Sequence, residues 1–238
     1  MRSAVYYIPI ATTLVALAFS AILFQRWRKR GGTHHLWWAA GTFTYALGTI
    51  TESATTLLGW HPAIFRAWYI TGALLGGAPL AQGSVYLHMP RRVANALSVA
   101  LVTVIVIASA CVLLSPLQPD LVEPYHLSGK VFAWQWVRAF SPFVNTYAFV
   151  FLVGGAIRSA LRFRRRVETR NRFIGNVLIA VGAMLPGIGG TFTRFGHTEV
   201  LYVTEFLGLV ILYFGFRLNV TPTPVAPLAP PRPDLATA

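Results

Sequence analysis

Two carboxylates, Glu52 and Glu205, stand inside long apolar stretches of this sequence. An ionisable side chain in such a stretch is costly enough to mark a candidate functional site. Glu52 belongs to a polar series, Thr42, Tyr45, Thr49, Glu52 and Thr56, spaced three, four, three and four apart, which places all five on one helical face. A second series, Glu199, Tyr202, Glu205, Leu209 and Tyr213, runs down one side of another helix. Stripes of this kind join helices through hydrogen bonds or line a site. Near the ends of the same apolar stretches stand Trp60, His61, Arg66, Arg138, Arg194 and His197. Set against Glu52, Glu199 and Glu205, the three arginines allow two readings. One is a fixed network of ion pairs. The other is an outward-opening polar pocket for a small ionic or zwitterionic ligand, with arginine for a carboxylate and glutamate for an amine. The ligand-binding candidates are therefore Glu52, Glu205, Tyr45, Thr49, Arg66, Arg138, Arg194, Tyr202 and Glu199.

Histidine offers a second chemistry, because b-type haem takes two imidazoles from facing helices. His34, His35 and His88 fall at one end of the apolar stretches, and His61 and His197 at the other. Of these His35, His88, His61 and His197 are the haem candidates, and the two levels would suit a transmembrane electron carrier. Histidine at the ends of apolar helices is ordinary, so no cofactor is expected. A retinal Schiff base needs a lysine at membrane depth, but the two lysines, Lys29 and Lys130, both fall between the apolar stretches. The Pro-Gln pair of small seven-helix sugar transporters has only a reversed counterpart, Gln118-Pro119, in a loop. No zinc spacing, P-loop, nucleophile elbow or dinucleotide fingerprint occurs, so no catalytic or metal residues are assigned.

The elements that must position these residues follow from composition. The chain has 238 residues, 55% hydrophobic and 11% charged, with a mean hydropathy of +0.57. A soluble domain carries about a quarter charged residues. That excludes a soluble globular protein, and the lone Cys111 excludes a disulfide-stapled scaffold. A net charge of +13 would point to nucleic acid in a soluble protein. Here the basic residues cluster between apolar stretches, where they orient a membrane protein, and no nucleic-acid partner is expected.

Seven stretches reach the roughly 20 residues a helical crossing needs, at about 4–24, 36–58, 68–87, 94–114, 142–163, 173–192 and 198–216. None alternates like a strand, so the fold class is all-α, a polytopic seven-transmembrane-helix bundle over 1–218. Fifteen of the twenty Lys and Arg residues fall on one side, which predicts an N-terminus outside and a C-terminus in the cytoplasm. The first stretch is read as a permanent helix and not a cleaved signal, because Arg26, Arg28, Lys29 and Arg30 follow it. With this rise Glu52 lies about 24 Å from the cytoplasmic end of its span and Glu205 about 10 Å below the outer end of its own, so the two are at similar depth.

Residues 115–140 form an external loop, read as a lid, a connector or an interfacial helix near 132–140. The proline-rich 219–238 is expected to be a disordered cytoplasmic tail. Two segments rich in small residues, Gly72 to Pro79 and Gly182 to Gly190, suit close helix packing. Pro79 and Pro186 could instead break their helices, with Gly182 to Gly190 the better candidate. The arginine-rich 158–172 is expected to set topology and touch anionic lipid headgroups, or to dock a cytoplasmic protein partner.

The pattern of Trp37-Trp38 opening the second span, Glu52 late in it and Trp68-Tyr69 opening the third resembles the seven-helix N-terminal sensor region of bacterial histidine kinases. The resemblance covers 36–87 and departs from the family in carrying no kinase domain. It implies a sensory bundle that acts through a partner. The preference for Arg over Lys, with abundant Ala and Gly, suits a bacterial inner membrane. The expectation is a non-enzymatic, sensor- or receptor-like multi-pass membrane protein with an outward-facing polar pocket for a small ligand. The alternatives are a small-solute transporter or a haem- or quinone-linked electron carrier.

Overall fold

The structure, a computed structural model, describes residues 4–221 apart from Tyr125 and Arg166, and omits the side chains of Val167 and Arg194. The proline-rich tail therefore lies outside the described residues from 222 onward, and α9 already includes its expected first residues. Among the described residues the protein is helical, with two isolated β-bridges, Leu117 with Phe132 and Glu123 with His126. The helices are α1 (Ile8–Arg30), α2 (Thr33–Leu58), α3 (Pro62–Trp68), α4 (Ala78–His88), α5 (Arg91–Leu114), α6 (Phe140–Ala148), α7 (Gly154–Phe163), α8 (Arg170–Phe192) and α9 (Thr198–Val220). Two wide π-helical turns, Tyr69–Leu74 and Phe149–Val153, follow α3 and join α6 to α7.

Five helical runs are long and apolar enough to cross a membrane: Ala4–Arg30, Arg91–Leu114, Gln135–Phe163, Arg170–Phe192 and Thr198–Val220. Two expected spans are not among them. The helix α2 carries the threonine stripe, and the run from α3 to α4 is interrupted. Burial is inverted relative to a water-soluble domain. Thr12, Thr42, Thr49, Glu52, Thr55 and Gln82 are buried, while Leu14, Val99, Val106, Phe143 and Phe149 are exposed.

The helix α1 carries Pro9 in its first turn and ends where Gly31 (φ 67°) donates its N–H to Trp27 O at 2.7 Å. With Gly32 (φ 88°) it makes a two-residue turn that folds α2 back along α1. Thr13 and Thr49 hydroxyls meet across this seam at 2.8 Å, and Ser20 Oγ donates to Ala39 O at 2.8 Å. Ala16, Phe19, Leu23, Ala39 and Ala46 pack there with Leu209 and Phe216 of α9.

The helices α8 and α9 pack along glycines. Gly175, Gly182 and Gly189 recur every seven residues, as do Leu201, Gly208 and Gly215, and each triad keeps one face of its helix toward the other. A Cβ on Gly182 would stand 2.6 Å from Gly208 O, and one on Gly208 2.6 Å from Gly182 O. Gly175 and Gly215 repeat this reciprocally at 2.7 Å. At the far end Asn176 Nδ2 donates to Asn219 Oδ1 at 2.9 Å. The alternative of a break at Pro186 is not realised, and α8 stays helical through it.

The break lies in the third span instead. The π-turn closes with Leu75 N–H donating to Ile70 O at 3.0 Å, Gly76 turns left-handed at φ 42°, and α4 restarts with Pro79 in its first turn. Asn145 Nδ2 of α6 donates to the exposed carbonyl of Ala73 at 3.3 Å. Gly77 packs on Ala148 and Leu152, so the second π-turn faces the break. Replacing Gly76 with alanine is expected to cost about 1–3 kcal/mol, because the left-handed backbone disfavours a Cβ. That Cβ would also stand 2.7 Å from Asn145 Oδ1. A thermal midpoint equal to wild type would refute this account of the turn.

The external loop is a packed cap. Three short 3-10 turns, Pro119–Leu121, Gly129–Val131 and Gln135–Ala139, bring Val131, Phe132 and Val137 onto Phe65, Tyr69 and Val112. Arg66 holds the cap's root by donating to Leu113 O and, at 2.9 Å, to Ser115 O.

Candidate functional site: a buried carboxyl pair

The two stripes do meet, at Glu52 and Glu205. Glu52 sits late in α2, 4% exposed, and Trp68 Nε1 donates to its Oε1 at 3.1 Å. That donor is available because α3 ends at Trp68 and Gly48 and Gly72 let α2 and the following π-turn approach closely. Glu205 reaches across from α9 and lays its carboxyl within hydrogen-bonding range of that of Glu52. Oε2 of Glu52 and Oε2 of Glu205 are both buried and receive no hydrogen bond from a protein donor. An ionised carboxylate only accepts, so two carboxyls in contact satisfy each other by sharing a proton.

Tyr45, seven residues before Glu52 on the same face, donates its hydroxyl to the Glu205 backbone carbonyl at 3.1 Å. Tyr202, 4% exposed, lies one turn from Glu205 and packs edge-on against Tyr6 with ring centres 5.9 Å apart. Three aromatic residues, Tyr45, Trp68 and Tyr202, thus lie about the acid pair, with Tyr6 packed on Tyr202. Thr49 is spent on Thr13 and on its own backbone, which is the helix-joining use of the residue.

Two arginines of the expected pocket, Arg66 and Arg138, are engaged elsewhere. Arg66 caps the end of α5, where unpaired carbonyls attract a cation. Arg138 donates to Gln135 Oε1 at 2.7 Å inside the cap. Glu199 is exposed and pairs with His197 at 3.1 Å. The side chain of Arg194 lies outside the described residues. Among the described residues the ion pairs are His197 with Glu199 and His126 with Glu123, so neither buried carboxylate has a cationic partner.

The haem candidates have protein partners of their own. His88 engages Ser84 O and Ser159 Oγ, each at 2.8 Å, and so ties α4 to α7. His35 engages Gly31 O at 2.9 Å and receives Arg26 Nε at 3.2 Å. His61 caps α3 by accepting from Ala63 N–H at 3.2 Å. A further polar set that sequence reasoning did not single out centres on the fully buried Gln82. It takes the Tyr147 hydroxyl and donates to Ala94 O at 2.9 Å and Ser98 Oγ at 2.7 Å. All its polar atoms are satisfied, which makes it a helix tie.

Sequence reasoning placed Trp68 only within a resemblance and gave it no site role. The signal available was an indole N–H at the end of a short helix beside an acidic stripe. Two grooves, of about 450 Å³ and about 360 Å³, run along the outside of the α1–α2 seam. They are lined by residues such as Leu17, Phe24 and Phe43, and Leu14, Ile50 and Leu57, and neither includes the acid pair. No family model, curated protein or solved structure matches this chain.

Proposed function

We propose that this protein is a non-enzymatic, sensor- or receptor-like multi-pass protein of a bacterial inner membrane, whose ligand-responsive element is the Glu52–Glu205 pair. In this reading the chain crosses seven times, with α2 and the interrupted α3–α4 run joining the five apolar runs, the N-terminus outside and the C-terminus in the cytoplasm. The distribution of arginine supports that orientation, since Arg26, Arg91, Arg158 and Arg172 fall at alternate helix ends. The arginine-rich 158–172 then meets anionic headgroups or a cytoplasmic partner.

The observation that carries the ligand reading is the contacting carboxyl pair, whose Oε2 atoms are buried and which has no cationic partner among the described side chains. Burying two acids so is costly, and keeping them suggests a use beyond stability. With neither Arg66 nor Arg138 beside them, the pair suits a positively charged ligand better than a zwitterion. A transporter is the second reading, favoured by the discontinuous helix at Gly76.

Trp68 supplies the test, since a ligand at the pair would disturb its hydrogen bond to Glu52. Titrating the detergent-purified protein with ammonium, methylammonium and sodium chlorides is expected to change tryptophan emission saturably with at least one cation. The change should be lost in Trp68→Phe. A wild-type signal that no cation moves beyond a choline chloride control would overturn the reading.

A further inference from the structure

We propose that the carboxyl pair is a binding site for a small, hard monovalent cation such as Na⁺ or Li⁺, which enters in exchange for the proton the two carboxyls share. This rests on the reading of the pair as a cation site and names the cation's class and its counter-ion. Glu52 is 4% exposed, and its Oε2 and the Oε2 of Glu205 are both buried without a protein donor.

The donor set points to a hard ion. The atoms able to face a cation here are oxygens: the Oε2 atoms of both glutamates and the phenolic oxygen of Tyr45. The Tyr45 hydrogen is already directed at the Glu205 carbonyl at 3.1 Å, which leaves that oxygen's lone pairs free. Among the described residues the nitrogen hydrogen-bonded to a carboxyl of the pair is Trp68 Nε1, which donates to Oε1 of Glu52 and leaves both Oε2 atoms without a protein donor. Oxygen sets select hard cations over soft ones. A divalent ion such as Ca²⁺ takes six to eight oxygens, more than this set supplies.

Charge conservation gives the exchange. With one proton between them the two carboxyls carry a net charge of −1. Replacing that proton by a monovalent cation leaves the same net charge, so the large cost of changing a buried charge is avoided. The step balances as carboxylate, carboxylic acid and M⁺ going to two carboxylates bridged by M⁺, with one H⁺ released to water. The titratable groups about the pair are Tyr45 from α2 and Tyr202 from α9, with Tyr6 of the N-terminal turn packed on Tyr202. Among the described side chains no lysine, arginine or histidine is ion-paired with it.

The experiment uses the whole protein in detergent, weakly buffered in choline chloride, with a pH-indicator dye. Adding NaCl or LiCl is expected to release about one proton per protein, and extra choline chloride none. The apparent affinity for Na⁺ should fall about tenfold for each unit of pH decrease, as one-for-one exchange requires. Glu205→Gln should abolish the release. If that variant does not fold, Tyr45→Phe serves in its place and should weaken Na⁺ several-fold. Release that persists in Glu205→Gln, or no release with Na⁺ or Li⁺, overturns the exchange. If methylammonium still shifts Trp68 emission while Na⁺ and Li⁺ do nothing, this inference fails and the cation-receptor reading stands. If no cation produces either signal, both fall together.

Discussion

Gly182→Ala is expected to destabilise the protein by about 2–4 kcal/mol, since overpacking alone costs about 1–3 and the backbone here has nowhere to move. Gly187→Ala in the same helix should be neutral or stabilising by up to ~1 kcal/mol, the usual gain of alanine over glycine inside a helix. A methyl on Gly182 would meet Gly208 O at 2.6 Å and Leu212 N at 2.8 Å, both backbone atoms of α9. Around Gly187 nothing lies within 4 Å of the added carbon. The only remedy at Gly182 is to push α8 and α9 apart, which would open the Gly175–Gly215 contact as well. Thermal unfolding of both variants in one detergent decides the matter. Equal midpoints would mean that the α8–α9 seam is not held by close backbone approach.

The second large effect separates the two carboxyls. Glu52→Leu is expected to cost about 3–5 kcal/mol, because it leaves the Trp68 N–H and the Glu205 carboxyl buried without partners. Glu205→Gln should stay within about 1 kcal/mol of wild type or exceed it. An amide is nearly isosteric with the acid and can donate the hydrogen bond that the shared proton provides. Had an arginine faced Glu205, the same substitution would strand a cation and cost several kcal/mol. Arg66 and Arg138 point to carbonyl and amide oxygens instead, so neither of them brings that penalty. A collapse of Glu205→Gln at neutral pH, with Glu52→Leu no worse, would show that the pair is held by something other than a shared proton.

Periodicity carried sequence reasoning furthest. A helix repeats every 3.6 residues, so Tyr45 and Glu52 had to share a face, and that face does meet α9. The depth of Glu205 followed from the same rise per residue. Such properties belong to one helix at a time, and local spacing determines them whatever the neighbours do. Composition likewise excluded a water-soluble domain, and the apolar side chains exposed on the helices agree with that.

Partner choice was decided elsewhere. Counting three arginines against three glutamates said nothing about lateral position, and Arg66 donates instead to the carbonyls that end α5. The two glycine- and proline-rich segments, alike in composition, also behave oppositely. At Pro186 the missing N–H leaves Gly182 O free, and Gly208 of α9 comes close enough to cover it, so α8 continues. At Gly76 the covering group is a side chain, Asn145, reaching Ala73 O from α6, and the helix stops. The sequence alone determined which residues lie on which face and at what depth, because the helix geometry is local. Only the tertiary structure decided whether a helix survives its proline and which polar group satisfies which, because an unpaired polar atom is settled by whichever neighbour packing brings within reach.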